Sequence, residues 1–262
     1  MFYPFSIKAS VISRLQQETP RISDVENSVS DKNKRKELLR SYLSSTSGVI
    51  DGKTLKELWF PKGRYQVFLS HSRGDIVLAR YFKAWLWRNC GLRCFIDADV
   101  WEDARELLRE IDEVYKPEGS SFFLYSRRNQ TTAHVYSMRA MALFEAIDEI
   151  ECPILIESSN SVTLKDGIEK GTLSPWIYEE VGYMGKLPHK VPTRLKTQNV
   201  SVGAESIILE KAVRDSLQMT HPLDVSGFKT IDKGDLDKMK CCKGVAVLDV
   251  LYKRKCLIRA KY

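Results

Sequence analysis

Residues 65–97 contain a strand, a helix and a second strand in immediate succession, and this pattern constrains the fold most strongly. The run Tyr65–Ser70 is apolar and ends in a polar turn, which is typical of a buried parallel strand. Residues 75–89 are apolar around most of a helix, and Gly91 is placed to end it. Leu92–Asp97 predicts the second strand. Such a succession within about 35 residues indicates a right-handed βαβ unit.

The pattern continues towards the carboxyl end. Residues 102–115 predict a helix, and 116–150 contain a short apolar run followed by a long helix. Residues 152–156 predict another strand, and a polar loop over 157–172 leads to a helix that begins near Ser174. Alternating strands and helices predict an α/β domain with a mainly parallel sheet.

The flanks differ from this central part. Residues 1–60 are polar and charge-rich, with helical spacing over 31–43 and a short helix that Pro61 ends, so they predict an N-terminal helical extension. The α/β domain is then expected over 61–190, with an insertion at about 116–150. Residues 191–262 predict only weak elements and form a C-terminal extension of unknown role.

Composition excludes several classes of protein. No apolar run approaches the roughly 20 residues that span a bilayer, and the amino terminus lacks a secretory signal, so we expect no membrane contact and a cytoplasmic location. The net charge of +7 is interleaved with acids and accompanies no arginine–aromatic ladder, which disfavours nucleic acid but suits an anionic dinucleotide. The 6 cysteines and 4 histidines show no ligand spacing, so no metal site is expected.

The segment Ser174–Gly182 carries the strongest chemical signal. Ser174 is a suitable N-cap and the following proline occupies the first helical position. At 100° per residue, Glu180 lies near the apolar stripe of this helix, whereas Glu179 points away. Trp176 is one turn before Glu180, and a carboxylate beside an aromatic ring can hold a sugar. A solvated acid and a core tryptophan are the alternative readings of these two residues.

Three of these segments together resemble Toll/interleukin-1 receptor (TIR) domains, in particular bacterial TIR-like proteins that cleave NAD. The matching segments are Tyr65–Ser72 with Asp75, Cys94–Asp97, and Ser174–Trp176 with Glu180, in the same order as in the family. The resemblance covers roughly 62–190 and implies a flavodoxin-like parallel sheet with helices on both faces. The insertion at 116–150 and the second acid, Glu179, depart from the family pattern.

The resemblance also implies an activity and a site. Glu180 would be the catalytic residue of an NAD+ nucleosidase that releases nicotinamide and leaves ADP-ribose or a cyclic product, in prokaryotic anti-phage signalling. NAD+ would be the substrate, with no further cofactor, and the protein would form homo-oligomers through TIR–TIR contacts. The expected substrate-binding residues are Ser70, His71, Ser72, Arg73, Asp97, Trp101 and Trp176.

Other interpretations stay open at this point. Asp97 could be a turn or capping acid, and Ser72 or Asp75 could cap the helix that follows. The whole domain could be a non-catalytic TIR interaction module that acts by homotypic assembly. A nucleotide hydrolase that uses the first loop as a phosphate cradle is a third possibility, although no Gly-x-x-x-x-Gly-Lys-Ser/Thr string supports an NTPase.

Overall fold

The computed structural model describes residues 1–19, 29–46, 49–101, 103–115, 125–165, 169–195, 220–255 and 257. The chain divides into two compact units. The first comprises 1–25, 64–96 and 147–262, and the second comprises 26–63 and 97–146.

Strands occur in the first unit. They are β1 (Phe5–Lys8), β2 (Val67–Ser70), β3 (Cys94–Phe95), β4 (Cys152–Glu157), β5 (Thr163–Lys165), β6 (Glu169–Thr172), β7 (His221–Pro222) and β8 (Lys229–Ile231). The α-helices of the chain are α1 (Ala9–Glu18), α2 (Val29–Ser45), α3 (Gly52–Trp59), α4 (Ile76–Cys90), α5 (Asp97–Val100), α6 (Ala104–Val114), α7 (Tyr125–Glu149), α8 (Pro175–Lys186), α9 (Lys233–Met239) and α10 (Ala246–Arg254).

A five-stranded parallel sheet organises the first unit. Its strand order is β3-β2-β4-β1-β8, and all its pairs are parallel. The three strands expected from the sequence, β2, β3 and β4, are therefore parallel members of one sheet, with β2 between β3 and β4. Helices flank the sheet, so the α/β, flavodoxin-like fold class is confirmed.

The two faces of the sheet carry different helices. Ile154 and Ile156 of β4 belong to the main core, which also contains buried residues of α1, α4, α9 and α10. Leu155 points to the opposite face, where it packs with Ile177 and Val181 of α8. This alternation follows from the two-residue period of a strand.

The expected division of the chain into extensions and a central domain is wrong. Strand β1 lies inside the sheet between β4 and β8, so residues 1–60 are not a separate helical extension. Strand β8 and helices α9 and α10 likewise place the C-terminal part of the chain in the same sheet and core. Averaging composition over a long polar stretch hides a strand of four residues such as β1.

The second unit is helical in its described residues. It contains α2, α3, α5, α6 and most of α7. Helix α7 confirms the long helix predicted after residue 125, whereas the apolar run at 122–124 lies outside the described residues. The insertion between β3 and β4 begins at residue 97 rather than at about 116, and the segment 26–63 joins it to form the unit.

A small antiparallel sheet replaces most of the loop predicted at 157–172. Strands β5, β6 and β7 form it in that order. The polar composition of this segment concealed the pairing, because short strands at a protein surface do not need apolar side chains on both faces. The described part of the chain contains no helix long and apolar enough to cross a membrane.

Candidate active site

Helix α8 begins where the sequence predicts. The Ser174 Oγ accepts a hydrogen bond from the backbone N–H of Ile177 at 3.3 Å, and Pro175 occupies the first helical position. Ile177, Glu180 and Val181 are all buried on the inner face of the helix. Because Ile177 and Val181 pack on Leu155 of the sheet, the helical register turns Glu180 towards the sheet as well.

Ser70 is the sheet residue that Glu180 meets. It ends β2 and pairs in register with Leu155, so its side chain projects to the face that α8 covers. The Ser70 Oγ donates a hydrogen bond of 2.6 Å to Glu180 Oε2, across 110 residues of sequence. Ser70 is 0% and Glu180 4% exposed. The sequence assigned both residues to the site, and the structure brings them together.

The Ser70–Glu180 pair lies at the carboxyl end of the strand where the connections reverse direction. From β2 the chain passes to β3, which lies next to β2 on one side. It then returns to β4, which lies next to β2 on the other side. In open parallel α/β sheets, ligands bind beyond the carboxyl ends of the strands at such a switch point. The position of the pair therefore coincides with the usual ligand site of this architecture.

Glu179 and Trp176 are placed differently on the same helix. Glu179 is half-buried and its Oε1 accepts a hydrogen bond from the Tyr183 hydroxyl at 3.1 Å. The prediction that Glu180 rather than Glu179 faces inward is thus confirmed. Trp176 is half-buried and lies one turn before Glu180.

The loop that follows Ser70 holds three further predicted site residues. The His71 Nδ1 lies 3.2 Å from the backbone carbonyl oxygen of Leu69, to which the Nδ1–H tautomer donates. Ser72 is half-buried, and its carbonyl accepts from the N–H of Asp75 at 2.8 Å. Arg73 is exposed and begins the short 3₁₀ helix Arg73–Asp75 that leads into α4.

Asp75 ties this loop to the loop after β4, a contact that the sequence analysis did not foresee. Neither Ser72 nor Asp75 caps a helix with its side chain. Instead, the Asp75 carboxylate accepts hydrogen bonds from Ser158 Oγ at 2.5 Å and from Asn160 Nδ2 at 2.9 Å. A Cβ on Gly74 would lie 3.0 Å from Asn160 Nδ2, so a larger residue there would require the Asn160 side chain to shift. In the sequence, the polar residues directly after the strand at 152–156 were the feature that could have indicated this contact with Asp75.

Asp97 and Trp101 belong to the second unit and are engaged there. The Asp97 Oδ2 lies 3.2 Å from Arg139 Nη2, and Arg139 is 7% exposed. Trp101 is buried, packs edge-on against Phe60 and donates its indole N–H to the Pro61 carbonyl at 3.1 Å. These contacts give both residues a structural role within their unit, and their substrate binding stays a prediction.

The chemistry available at the Ser70–Glu180 pair is that of a fixed carboxylate. No group of three or more His, Cys, Asp or Glu side chains that could hold a metal occurs among the residues described. Comparisons with family models, with curated proteins and with solved structures found no match to this chain.

Proposed function

We propose that the chain is a TIR-like NAD+ nucleosidase that cleaves the bond between nicotinamide and ribose. The observation that carries the proposal is the buried hydrogen bond from Ser70 to Glu180 at the switch point of the sheet. The resemblance of three sequence segments to TIR domains supports the same activity. In this proposal the protein works as a homo-oligomer in prokaryotic anti-phage signalling.

The main requirement of the reaction is that the protein stabilise a positive charge on the ribose. Nicotinamide leaves NAD+ as a neutral molecule, and positive charge develops on the ribose as in the oxocarbenium-like transition state of glycosidases. Glu180 would stabilise that charge electrostatically, and its effect would be stronger for being 4% exposed, because a water-poor surrounding screens charge weakly. Water or an adenine nitrogen would then capture the ribose, to give ADP-ribose or a cyclic product.

The neighbouring residues have supporting roles in this proposal. Ser70 orients the Glu180 carboxylate by donating to Oε2. The loop with His71, Ser72 and Arg73 would contact the phosphates, since it lies between the carboxyl end of β2 and the start of α4. Trp176 would form a wall for the sugar or a ring.

The test compares two adjacent acids on one helix. The full-length protein is incubated with NAD+, over a range of protein concentrations and with a crowding agent, and released nicotinamide is measured by chromatography. We expect Glu180→Gln to lower the rate by about 10²-fold or more, the usual effect of removing one stabilising group of this kind. Glu179→Gln is the matched control and should retain activity. Equal rates for Glu180→Gln and wild type, or no release by wild type under any condition, would contradict the proposal.

Two exposed apolar side chains favour a second candidate function. On α4, Val77 is 70% and Trp87 54% exposed. Exposed apolar side chains mark a contact surface between proteins when they belong to one continuous patch, and a non-catalytic interaction module that assembles with copies of itself would use such a patch on α4. In that case Trp87→Ala would reduce the mass measured by light scattering at high concentration, and Glu180→Gln would leave assembly and signalling unchanged.

A further inference from the structure

Two adjacent cysteines occupy the turn between α9 and α10. Cys241 is exposed and Cys242 is half-buried, and their Sγ atoms lie 3.5 Å apart. Cys90, Cys94 and Cys152 are buried instead. Burial raises the pKa of Cys90 to about 11, and the hydrogen bond with Cys241 raises the pKa of Cys242, so exposure rather than acidity distinguishes the pair. Among the cysteines whose side chains are described, the pair is therefore the accessible one.

Hydrogen bonds at both ends of the turn fix the position of the pair. The N–H of Cys241 donates to the Lys238 carbonyl at 3.2 Å, and the N–H of Gly244 donates to the Cys90 carbonyl at 2.7 Å. Lys243 Nζ donates to the carbonyls of Arg88 at 3.0 Å and Asn89 at 2.6 Å, at the end of α4. A turn held in this way presents its two sulfurs in a preorganised geometry, which lowers the entropy cost of binding.

The two sulfurs lie 3.5 Å apart, which is an ordinary contact distance for two reduced thiols and is also a distance that one bridging atom can span. A disulfide needs about 2.05 Å, so the sulfurs of Cys241 and Cys242, 3.5 Å apart, would have to approach by a further ~1.5 Å. An atom bound to both at about 2.3 Å, the length of a zinc–thiolate bond, would make an S–atom–S angle of about 100° across 3.5 Å. That angle is close to what a pyramidal or tetrahedral centre requires.

The number of side-chain ligands at the pair indicates which kind of atom it could bind. A structural zinc ion needs four ligands, and the described residues contain no group of three or more His, Cys, Asp or Glu side chains that could hold a metal. A trivalent arsenic atom that already carries one organic group needs only two thiolates. Its softness also suits sulfur ligands.

We propose that Cys241 and Cys242 form a dithiol site for a monosubstituted trivalent arsenical or a chemically equivalent three-coordinate soft centre. The two thiols condense with an organoarsenic oxide. Two arsenic–sulfur bonds form, the arsenic–oxygen bonds break, and the oxygen leaves as one water with both thiol protons. Arsenic stays trivalent, so no oxidant or reductant is needed. The site is independent of the Ser70–Glu180 pair.

The probe is phenylarsine oxide, added at one equivalent to the full-length protein in the presence of a monothiol. We expect intact mass spectrometry to find one phenylarsenic group per chain, with the mass of one water lost. A dithiol should remove the group, whereas a monothiol should not, because only a second chelate competes with the first.

The single variants Cys241→Ser and Cys242→Ser test the pairing. Both substitutions lie at an accessible turn, and circular dichroism checks that each variant folds as the wild type does. Each should require at least about tenfold more reagent for the same adduct, since one thiol no longer profits from the effective concentration of the other. Undiminished labelling of either variant, or absence of the adduct in the wild type, would overturn the proposal.

Discussion

The hydrogen bond between Ser70 and Glu180 allows a stability measurement that is independent of any assay for activity. Its donor is 0% and its acceptor 4% exposed, at a distance of 2.6 Å. Hydrogen bonds to charged groups contribute about 1.5–3 kcal/mol, and a buried acceptor that loses its donor keeps its desolvation cost. Ser70→Ala should therefore lower the free energy of unfolding by about 2 kcal/mol.

A double-mutant cycle isolates the contact itself. Urea unfolding is followed for wild type, Ser70→Ala, Glu180→Ala and the double variant, because alanine removes the acceptor altogether, and we expect a coupling energy of about 1–2 kcal/mol. The matched control is Ser13→Ala on α1, which removes a bond from Ser13 Oγ to the Ala9 carbonyl within one helix and should change stability by less than about 0.5 kcal/mol. A coupling energy no larger than the control effect would refute the view that Ser70 holds the Glu180 carboxylate.

Three further predictions concern the stability of the fold. Gly91 ends α4 with φ of +65°, so Gly91→Ala should cost about 1 kcal/mol in urea unfolding, whereas Gly52→Ala, with no atom within 4 Å of the new Cβ, should cost nothing. Ser174→Ala should cost about 1 kcal/mol in the same measurement, because α8 loses its N-cap bond. Burial, and then the Met1 ammonium, lower the pKa of His189, so the folded state resists protonation and stability should fall as pH drops below about 6.5. His189→Phe should show a smaller loss of stability between about pH 7 and about pH 5.

Local signals in the sequence were sufficient for the elements nearest the site. Gly91 adopts the left-handed conformation expected of a helix-ending glycine, and Ser174 caps α8 as predicted. Glu180 rather than Glu179 faces inward, as the helical periodicity of the segment predicts. Each of these features depends on residues within one or two turns of each other, so sequence periodicity is enough to predict it.

Contacts between distant segments could not be predicted in this way. Strand β1 has only four residues, and its place between β4 and β8 depends on partners more than 140 residues away. The bond between Asp75 and Ser158 spans 83 residues, whereas the sequence suggested for Asp75 only a possible capping role within its own segment. Such pairings follow from the strand order of the sheet, which local propensity does not determine.

The location of the site and the identity of its acid thus have separate physical origins. The location follows from the sheet, because β3 and β4 lie on opposite sides of β2 and leave the end of β2 at the switch point. The identity of the acid follows from α8, because its apolar residues fix the rotation that points Glu180 at Ser70. A shift of one residue in the register of α8 would put Glu179 in the position that Glu180 occupies and would leave the sheet unchanged. The alignment of two independent features on one hydrogen bond is the strongest physical reason to look for chemistry there.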